Sequence, residues 1–289
     1  MPERDPIRPI LGAALCMFLY YVTLVMVTPA MNFLGGRLAA ITVTTLLAGC
    51  FWSALGMAIF ESRSLADLGL RWHCGAGRNL LTGVAVGAGG ALLAIIPPVM
   101  AGLAHFERMP GDDVSLRGAL FTPLLLLCGA AGEEIAFRGF ALQFLMRGYG
   151  AWAGILGMGA LFGLLHANNP GATTLGIVNT AGFGVLFGAA LLRTHDLWLP
   201  IGIHFGWNAA LPFLGVDLSG LTIKVTDYEL VWKAGNLWSG GSYGPEASLL
   251  ASAVLVILFA AVWKIPVCRV RAYLLDSPEY EAGEPRPAP

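Results

Sequence analysis

Three polar clusters within apolar stretches carry the residues that could do chemistry. The segment GAAGEEIAFRGF places Glu133, Glu134 and Arg138 between the apolar runs ALFTPLLLLC and ALQFLM. A charged side chain at the centre of a bilayer costs about 2.5–3.5 kcal/mol on insertion scales, so such residues usually serve a function. Glu134 and Arg138 stand four residues apart with the acid first, the favourable order for a helical ion pair. This pair leaves Glu133 as a carboxyl without a local partner.

Two more apolar segments carry polar residues at helical spacing. The segment ALFGLLHANNP places His166 one turn after Phe162. The segment LPIGIHFGWNAAL places His204 and Asn208 four residues apart, on one face of a helix. Counted at about 1.5 Å per residue from the ends of the apolar segments, Glu133 and His166 lie about 20 Å deep. On the same count Asn208 lies about 16 Å and His204 about 10 Å deep, so we expect one polar cavity inside the membrane.

A carboxylate, two histidines and an asparagine allow several kinds of chemistry. Hydrolysis of an amide without a serine or cysteine nucleophile needs a base that activates water and donors that stabilise the oxyanion. Two histidines and a glutamate are also a plausible zinc site, although the HExxH spacing is absent from the sequence. Buried Glu and His residues form proton relays in transporters as well. An ion-paired anchor between helices is the interpretation that involves no chemistry.

The composition excludes a soluble globular domain. Of the 289 residues 56% are hydrophobic and only 12% are charged, against about 25% charged in a typical soluble domain. The mean hydropathy is +0.70. The five cysteines are scattered and form no CxxC pair, so the sequence predicts neither a disulfide framework nor a thiolate metal site. We therefore expect an all-α polytopic membrane protein.

The apolar segments predict about eight transmembrane helices around a mid-membrane polar cavity, because a span needs about 20 apolar residues. The fifth and seventh segments are short for this purpose. We expect a single integral-membrane domain over residues 1–275 and a disordered cytoplasmic tail over residues 276–289, which are polar and proline-rich. The predicted spans cover residues 10–30, 38–60, 80–104, 118–147, 151–166, 173–192, 197–214 and 247–265.

The distribution of basic residues predicts the orientation of these spans. With both termini on one side, that side holds eleven Lys and Arg residues and the other side holds five, leaving out Arg138. Basic residues accumulate in cytoplasmic loops, so we expect a multi-pass plasma-membrane protein with both termini in the cytoplasm. The eleven are Arg4, Arg8, Arg63, Arg71, Arg78, Arg147, Arg193, Lys264, Arg269, Arg271 and Arg286, and the five are Arg37, Arg108, Arg117, Lys224 and Lys233.

Two groups of loop residues carry further expectations. The loop 219–248, rich in glycine and tryptophan, lies outside in this topology, where it could cap the polar cavity. His73, His105 and His195 fall in predicted loops, and we expect them to be ordinary solvated histidines.

Taken in chain order, the three motifs resemble those of the CPBP family of membrane proteins. They read Glu133-Glu134-x-x-x-Arg138, Phe162-x-x-x-His166 and His204-x-x-x-Asn208. The resemblance covers about residues 118–215. The family includes CAAX prenyl endopeptidases of the Rce1 type and the Abi group of bacteriocin-processing and immunity proteins. The resemblance implies an eight-helix intramembrane endopeptidase of the glutamic type.

The resemblance also implies a role for each motif residue. Glu133 would activate the hydrolytic water with help from His166, while His204 and Asn208 would stabilise the oxyanion. The residues that would support this site are Glu134, Arg138 and Phe162.

The expected partners are a protein or peptide substrate, including a membrane-associated or lipidated one, and the lipid bilayer. No nucleic-acid partner and no cofactor are expected, with zinc as the alternative cofactor. Two other functions stay open at this stage. One is a zinc-dependent membrane metalloprotease, and the other is a non-catalytic immunity protein or proton-coupled membrane protein on the same fold.

Overall fold

A computed structural model describes residues 7–109 and 114–276, and most of these residues are helical. The predicted tail, apart from Asp276, lies outside the described residues. A π-helical turn at Phe137–Ala141 joins α4 to α5. The α-helices are α1 Ile7–Val27, α2 Arg37–Glu61, α3 Ala76–Met100, α4 Leu116–Ala136, α5 Leu142–Tyr149, α6 Ala151–Leu165, α7 Thr174–Thr194, α8 Trp198–Phe213, α9 Asn236–Ser239 and α10 Leu249–Lys264.

The eight predicted spans all coincide with helices, with α4 and α5 together forming the fourth. This confirms the all-α class of an integral membrane protein. Five of the spans are long and apolar enough to cross a bilayer by themselves. The other three, α6, α8 and α10, have 15, 16 and 16 residues. At about 1.5 Å per residue they reach at most about 24 Å, less than the roughly 30 Å of a hydrocarbon core. The short length of α10 was not expected from the sequence.

The segments that connect the helices lie at two opposite ends of the helix bundle. Strand β1 (Ala104–Arg108) follows α3 and pairs antiparallel with β2 (Tyr228–Trp232), which follows α8. In this register Phe106 lies opposite Leu230. The connections after α3 and after α8 therefore lie on the same side, which we call the outer side.

The opposite side, called the inner side, holds both ends of the described chain. Arg8 at the start of α1 donates to the carbonyl of Phe60 at the end of α2. Beyond α10, the carbonyl of Pro266 accepts a 2.9 Å bond from Arg78 at the start of α3. This grouping agrees with an even number of membrane crossings.

The expectation of solvated histidines is wrong for His195 and His73. His195, in the turn between α7 and α8, is only 1% exposed. Its Nδ1 lies 2.8 Å from Oδ2 of Asp276, and its Nε2 lies 2.8 Å from Arg269. His73 contacts the fully buried carboxylate of Asp196 at 2.9 Å. The segment after α10 covers this turn, a long-range contact that no local sequence pattern indicates.

Close helix packing fixes the position of α8, which carries His204. A Cβ atom on Gly87 of α3 would lie 2.0 Å from the carbonyl oxygen of Ile203, and one on Gly206 of α8 would lie 2.3 Å from that of Val84. No side chain fits at such distances, so the two backbones approach each other through glycine, as is common between membrane helices. This contact sets the depth and rotation of α8.

Candidate active site

The polar cluster begins where the helix geometry changes, at the end of α4. The backbone N–H of Phe137 is shared between the carbonyls of Glu133 and Glu134, and Gly139 takes a non-helical conformation with ψ −120°. Ser53 of α2 donates a 2.8 Å bond to the carbonyl of Ile135 just before this turn. Such π-turns are frequent at functional sites because they redirect side chains. The sequence predicted one continuous helix over residues 118–147, and this prediction is wrong at the π-turn.

Glu134 and Arg138 form the predicted ion pair. Nη1 of Arg138 lies 3.3 Å from Oε1 of Glu134, and both side chains are fully buried. Nη2 of Arg138 donates a further 2.9 Å bond to the carbonyl of Gly184 on α7. The guanidinium also lies 4.6 Å from the ring centre of Phe162 and 5.1 Å from that of Phe187. The cation is therefore held by a carboxylate, a carbonyl and aromatic faces.

His204 contacts both glutamates. Its Nδ1 lies 2.8 Å from Oε1 of Glu134, and its Nε2 lies 3.8 Å from Oε2 of Glu133. The ring stacks on Phe187, with centroids 4.8 Å apart and planes 12° from parallel. An ionised carboxylate only accepts hydrogen bonds, so Nδ1 of His204 carries a hydrogen. Sequence spacing predicted only the Arg138 partner of Glu134, because the contact with His204 joins two helices.

Glu133 is the exposed member of the pair of glutamates. About 28% of its side chain is accessible, whereas Glu134 has none. It lines a cavity of about 290 Å³ that also reaches His166, His204 and Asn208. The structure thus brings together all four side chains that the sequence placed in a mid-membrane cavity.

His166 lies at the outer end of α6, where it ends the helix. Its Nδ1 is 2.7 Å from the carbonyl oxygen of Phe162, one turn earlier. A carbonyl only accepts, so Nδ1 carries the hydrogen and the neutral ring keeps a lone pair on Nε2. The ring of Phe162 lies 4.6 Å from that of His166 and 6.2 Å from that of His204. The Phe162 ring therefore contacts both histidine rings as well as Arg138.

A third carboxyl in the cavity wall, Glu246, was missed by sequence reasoning. It belongs to a short 3₁₀ turn, Pro245–Ala247, in the outer loop between α8 and α10. It is 4% exposed and lines the same cavity as Glu133. Burial raises the pKa of the Glu246 carboxyl from 4.5 to about 7, although the hydrogen-bond donors around it limit the rise. Its sequence context, a glycine-rich loop before the last span, has no helical period that would indicate burial.

The outer loop lies over the cavity, as its position in the sequence suggested. Leu218, Ser219 and Leu221 line the cavity beside Glu246. The carbonyl of Ser219 accepts a 3.1 Å bond from Asn169, three residues after His166. The loop is thus fastened to the outer end of α6 next to the cavity.

The described part of the chain contains no group of three or more His, Cys, Asp or Glu side chains arranged to hold a metal ion. One nitrogen of each cavity histidine is already bonded, to Glu134 in His204 and to the Phe162 carbonyl in His166. The Nε2 atoms of His166 and His204 and the carboxyl of Glu133 are the groups that remain for chemistry in the cavity.

Comparison with known proteins supports the interpretation of the motifs. Residues 115–210 match the family model described as type II CAAX prenyl endopeptidase Rce1-like. The matched segment contains every motif residue from Glu133 to Asn208, and it confirms the resemblance to the CPBP family. Over this segment the chain is therefore similar to type II CAAX prenyl endopeptidases of the Rce1 type. None of the curated proteins compared with the chain matches it.

Proposed function

We propose that this chain, with its Rce1-like segment at residues 115–210, is an intramembrane endopeptidase that cleaves peptide bonds with water activated by Glu133. The observation that carries the proposal is the contrast between two adjacent glutamates. Glu134 is fully buried and bonded to Arg138 and His204, while Glu133 faces the cavity without an arginine partner. A carboxylate in such a position can accept a proton from water.

The contacts of His204 support a donor role for this residue. Its Nδ1 is bonded to the Glu134 carboxylate, which leaves Nε2 directed toward Glu133 and the cavity. In the form that carries hydrogen on both ring nitrogens, the Nε2–H can donate to an oxyanion. Asn208, one turn further along α8 and also in the cavity, would supply the second donor.

The proposed reaction proceeds in two proton transfers. Glu133 accepts a proton from water, with the Nε2 lone pair of His166 holding the water, and the resulting hydroxide attacks the carbonyl carbon. The negative charge that develops on the carbonyl oxygen is stabilised by His204 and Asn208. Glu133 then delivers the proton to the amide nitrogen as the C–N bond breaks, which leaves a carboxyl and an amine.

We also propose a class of substrate and a location in the cell. The substrate is a protein or peptide that reaches a cavity between helices, which suits membrane-associated or lipid-modified chains. The protein would act in the plasma membrane, with both termini in the cytoplasm, as the excess of basic residues on the inner side indicates.

Substrate trapping tests this function directly. Glu133→Gln keeps the shape of the side chain but removes the base, so the variant should retain uncleaved substrates in the native membrane. Mass spectrometry of proteins that copurify with this variant should show intact substrates, whereas membranes with the parent protein should contain the cleaved forms. Glu107→Gln, at an exposed position of β1, is the matched control and should trap nothing. Equal cleavage by the Glu133→Gln variant and the parent would overturn the proposal.

A further inference from the structure

The cavity that holds Glu133 has one side chain with a permanent positive charge in its wall. Of the described residues that line this cavity, Arg37 is the one arginine or lysine. Arg37 is the first residue of α2, on the outer side, and it is exposed. A residue that is exposed and also lines a cavity lies at its opening, so Arg37 marks the outer mouth of the cavity.

The guanidinium of Arg37 is without a partner in the described part of the chain. On the inner side, Arg8, Arg78 and Arg193 donate to carbonyls near the ends of α2 and α10. Arg37, in contrast, forms neither a hydrogen bond nor an ion pair with any described residue. A cation at the first residue of a helix does not stabilise that helix, because the helix dipole is positive at this end. Neither an ion pair nor the helix dipole therefore accounts for a cation at this mouth.

One face of α2 runs from the mouth to the level of Glu133. The residues of α2 that line the cavity continue from Arg37 at helical spacing as far as Thr45. A Cβ atom on Gly132, the neighbour of Glu133, would lie 2.6 Å from the carbonyl carbon of Thr45, so Thr45 and Glu133 lie at nearly the same level. Thr45 follows Arg37 by eight residues, which corresponds to about 12 Å along the helix axis.

A guanidinium at the mouth of the cavity is complementary to an anionic group on a substrate. Its planar donors match a carboxylate in a bidentate geometry. An extended peptide rises about 3.3 Å per residue, so a distance of about 12 Å corresponds to three or four residues. We propose that Arg37 is a specificity-determining residue that binds a substrate carboxylate about three or four residues from the bond that is cut. The inference rests on the proposed protease function, but it concerns binding and can be measured without cleavage.

The carboxylate can come from two parts of a peptide. One source is a free C-terminus, and the other is the side chain of an Asp or Glu at the same distance from the bond that is cut. Both sources present two oxygens to the guanidinium. In either case, a segment of the same length without a carboxylate at this distance is a poorer ligand.

The test compares the binding of paired peptides to the full-length Glu133→Gln protein in detergent. The probe is a dansylated peptide that ends in farnesylated cysteine, two aliphatic residues and methionine, with either a free C-terminal carboxylate or a carboxamide. Cleavage after the cysteine would place the terminal carboxylate three residues from the bond that is cut. Fluorescence titration gives a Kd for each form. The free acid should bind about tenfold more tightly, the effect of one hydrogen bond between charged groups.

A third peptide separates the two sources of the carboxylate. It carries aspartate in place of the methionine and ends in a carboxamide, so its one carboxylate is on the side chain. Recovery of most of the affinity assigns both sources, whereas no recovery restricts the subsite to the C-terminus, and both results support the subsite. Added salt should reduce the preference for the free acid, because Arg37 is exposed.

Variants assign the preference to Arg37. Adding Arg37→Gln should reduce the tenfold ratio to about one and leave binding of the carboxamide unchanged. Arg37→Lys keeps the charge but not the planar fork, so it should retain part of the ratio. Arg117→Gln removes another exposed outer cation, in the first turn of α4, which is not one of the residues that line the cavity. This matched control should keep the full ratio, and melting temperatures identify any variant that fails to fold.

Each remaining outcome decides one claim. Equal affinities for the acid and the carboxamide, including no measurable binding of either, would overturn the subsite. A preference that persists in Arg37→Gln would overturn it too, as would one that falls equally in Arg117→Gln, because attraction to the whole outer surface would then explain it. Cleavage of the probe by the Glu133→Gln protein at the rate of the parent would instead overturn the proposed catalytic role, and an Arg37-dependent preference would still support the subsite.

Discussion

His204 and Glu134 are 70 residues apart in sequence, yet Nδ1 of the histidine lies 2.8 Å from Oε1 of the glutamate inside the helix bundle. The same oxygen of Glu134 accepts from Arg138 at 3.3 Å. The buried carboxylate of Glu134 thus connects Arg138, in the π-turn after α4, with His204 of α8. The contact fixes the His204 ring so that its Nε2 is directed toward Glu133.

Glu134→Gln should reduce stability as well as activity. The substitution leaves Arg138 without its anionic partner and gives His204 a neutral amide oxygen in place of a carboxylate. Removing one member of a buried pair costs about 3–5 kcal/mol. We expect a clear fall in melting temperature and in yield of folded protein in detergent, together with a loss of cleavage.

Two comparisons make this prediction specific. Glu107→Gln, on the exposed strand β1, should melt as the parent does. Arg138→Gln combined with Glu134→Gln should recover part of the lost stability because no uncompensated charge is left. A Glu134→Gln protein that melts like the parent would show that the ion pair does not stabilise the fold.

The topology predicts that both termini lie in the cytoplasm. A reporter fused at Arg286 that is active only in the cytoplasm should be active, and one active only outside should be silent. A reporter inserted between β2 and α9, in the outer loop, should give the opposite pattern. An outer-side signal from the Arg286 fusion would contradict the orientation.

Catalysis should not depend on a metal ion. The proposed scheme uses Glu133 to activate water and His204 with Asn208 as donors, so exhaustive chelation should leave the cleavage rate of the purified protein unchanged. The measurement is turnover before and after chelation, with metal content determined on the same sample. Stoichiometric zinc, with activity lost on its removal and restored on its return, would support the metalloprotease interpretation instead.

The buried carboxyl of Glu246 should make stability dependent on pH. Its pKa is about 7 in the folded protein and 4.5 ordinarily, so between these values the folded chain keeps a proton that the unfolded chain releases. Stability should therefore fall as pH rises from about 4.5 to about 7, by at most about 3 kcal/mol, and then level off. The Glu246→Gln protein lacks this pH-dependent loss of stability. The melting temperature of the variant minus that of the parent should therefore increase from pH 5 to pH 8.

The groups around Glu246 should not produce the same pH-dependent change in stability. Ser219 and Trp207 do not titrate in this range, and burial raises the pKa of Tyr243 above its usual 10. Glu133 shares the cavity, so the same comparison made in a Glu133→Gln background isolates the contribution of Glu246. A melting difference that is constant from pH 5 to pH 8 would contradict this prediction.

Local spacing was sufficient to predict the parts of the site that lie within one helix. The ion pair of Glu134 with Arg138 and the position of Asn208 one turn after His204 follow from the helical period. The eight spans follow from the length of apolar runs. These features depend on residues close together in the chain, which is why the sequence indicates them.

The missed contacts of Glu134, Glu246 and His195 join distant segments, whereas the missed π-turn is local. The bond between Glu134 and His204 depends on how glycines let α3 and α8 approach each other. The burial of Glu246 and of His195 depends on loops that fold back over helix ends. The π-turn at Phe137–Ala141 arises within a sequence whose apolar pattern is continuous. Neither hydrophobic period nor composition carries information on such contacts.

The most direct test of the account is the cleavage rate of the Glu133→Gln protein measured beside its melting temperature. The Glu133 side chain makes no short bond to any described residue, since its one ion-pair contact there is His204 at 3.8 Å. Replacing it with a neutral side chain of the same shape should leave the melting temperature unchanged or slightly higher. The cleavage rate should fall at least about 100-fold, the lower range for loss of a general base. A folded Glu133→Gln protein that cleaves as fast as the parent, or one that loses activity only because it unfolds, would contradict the assignment of Glu133 as the catalytic base.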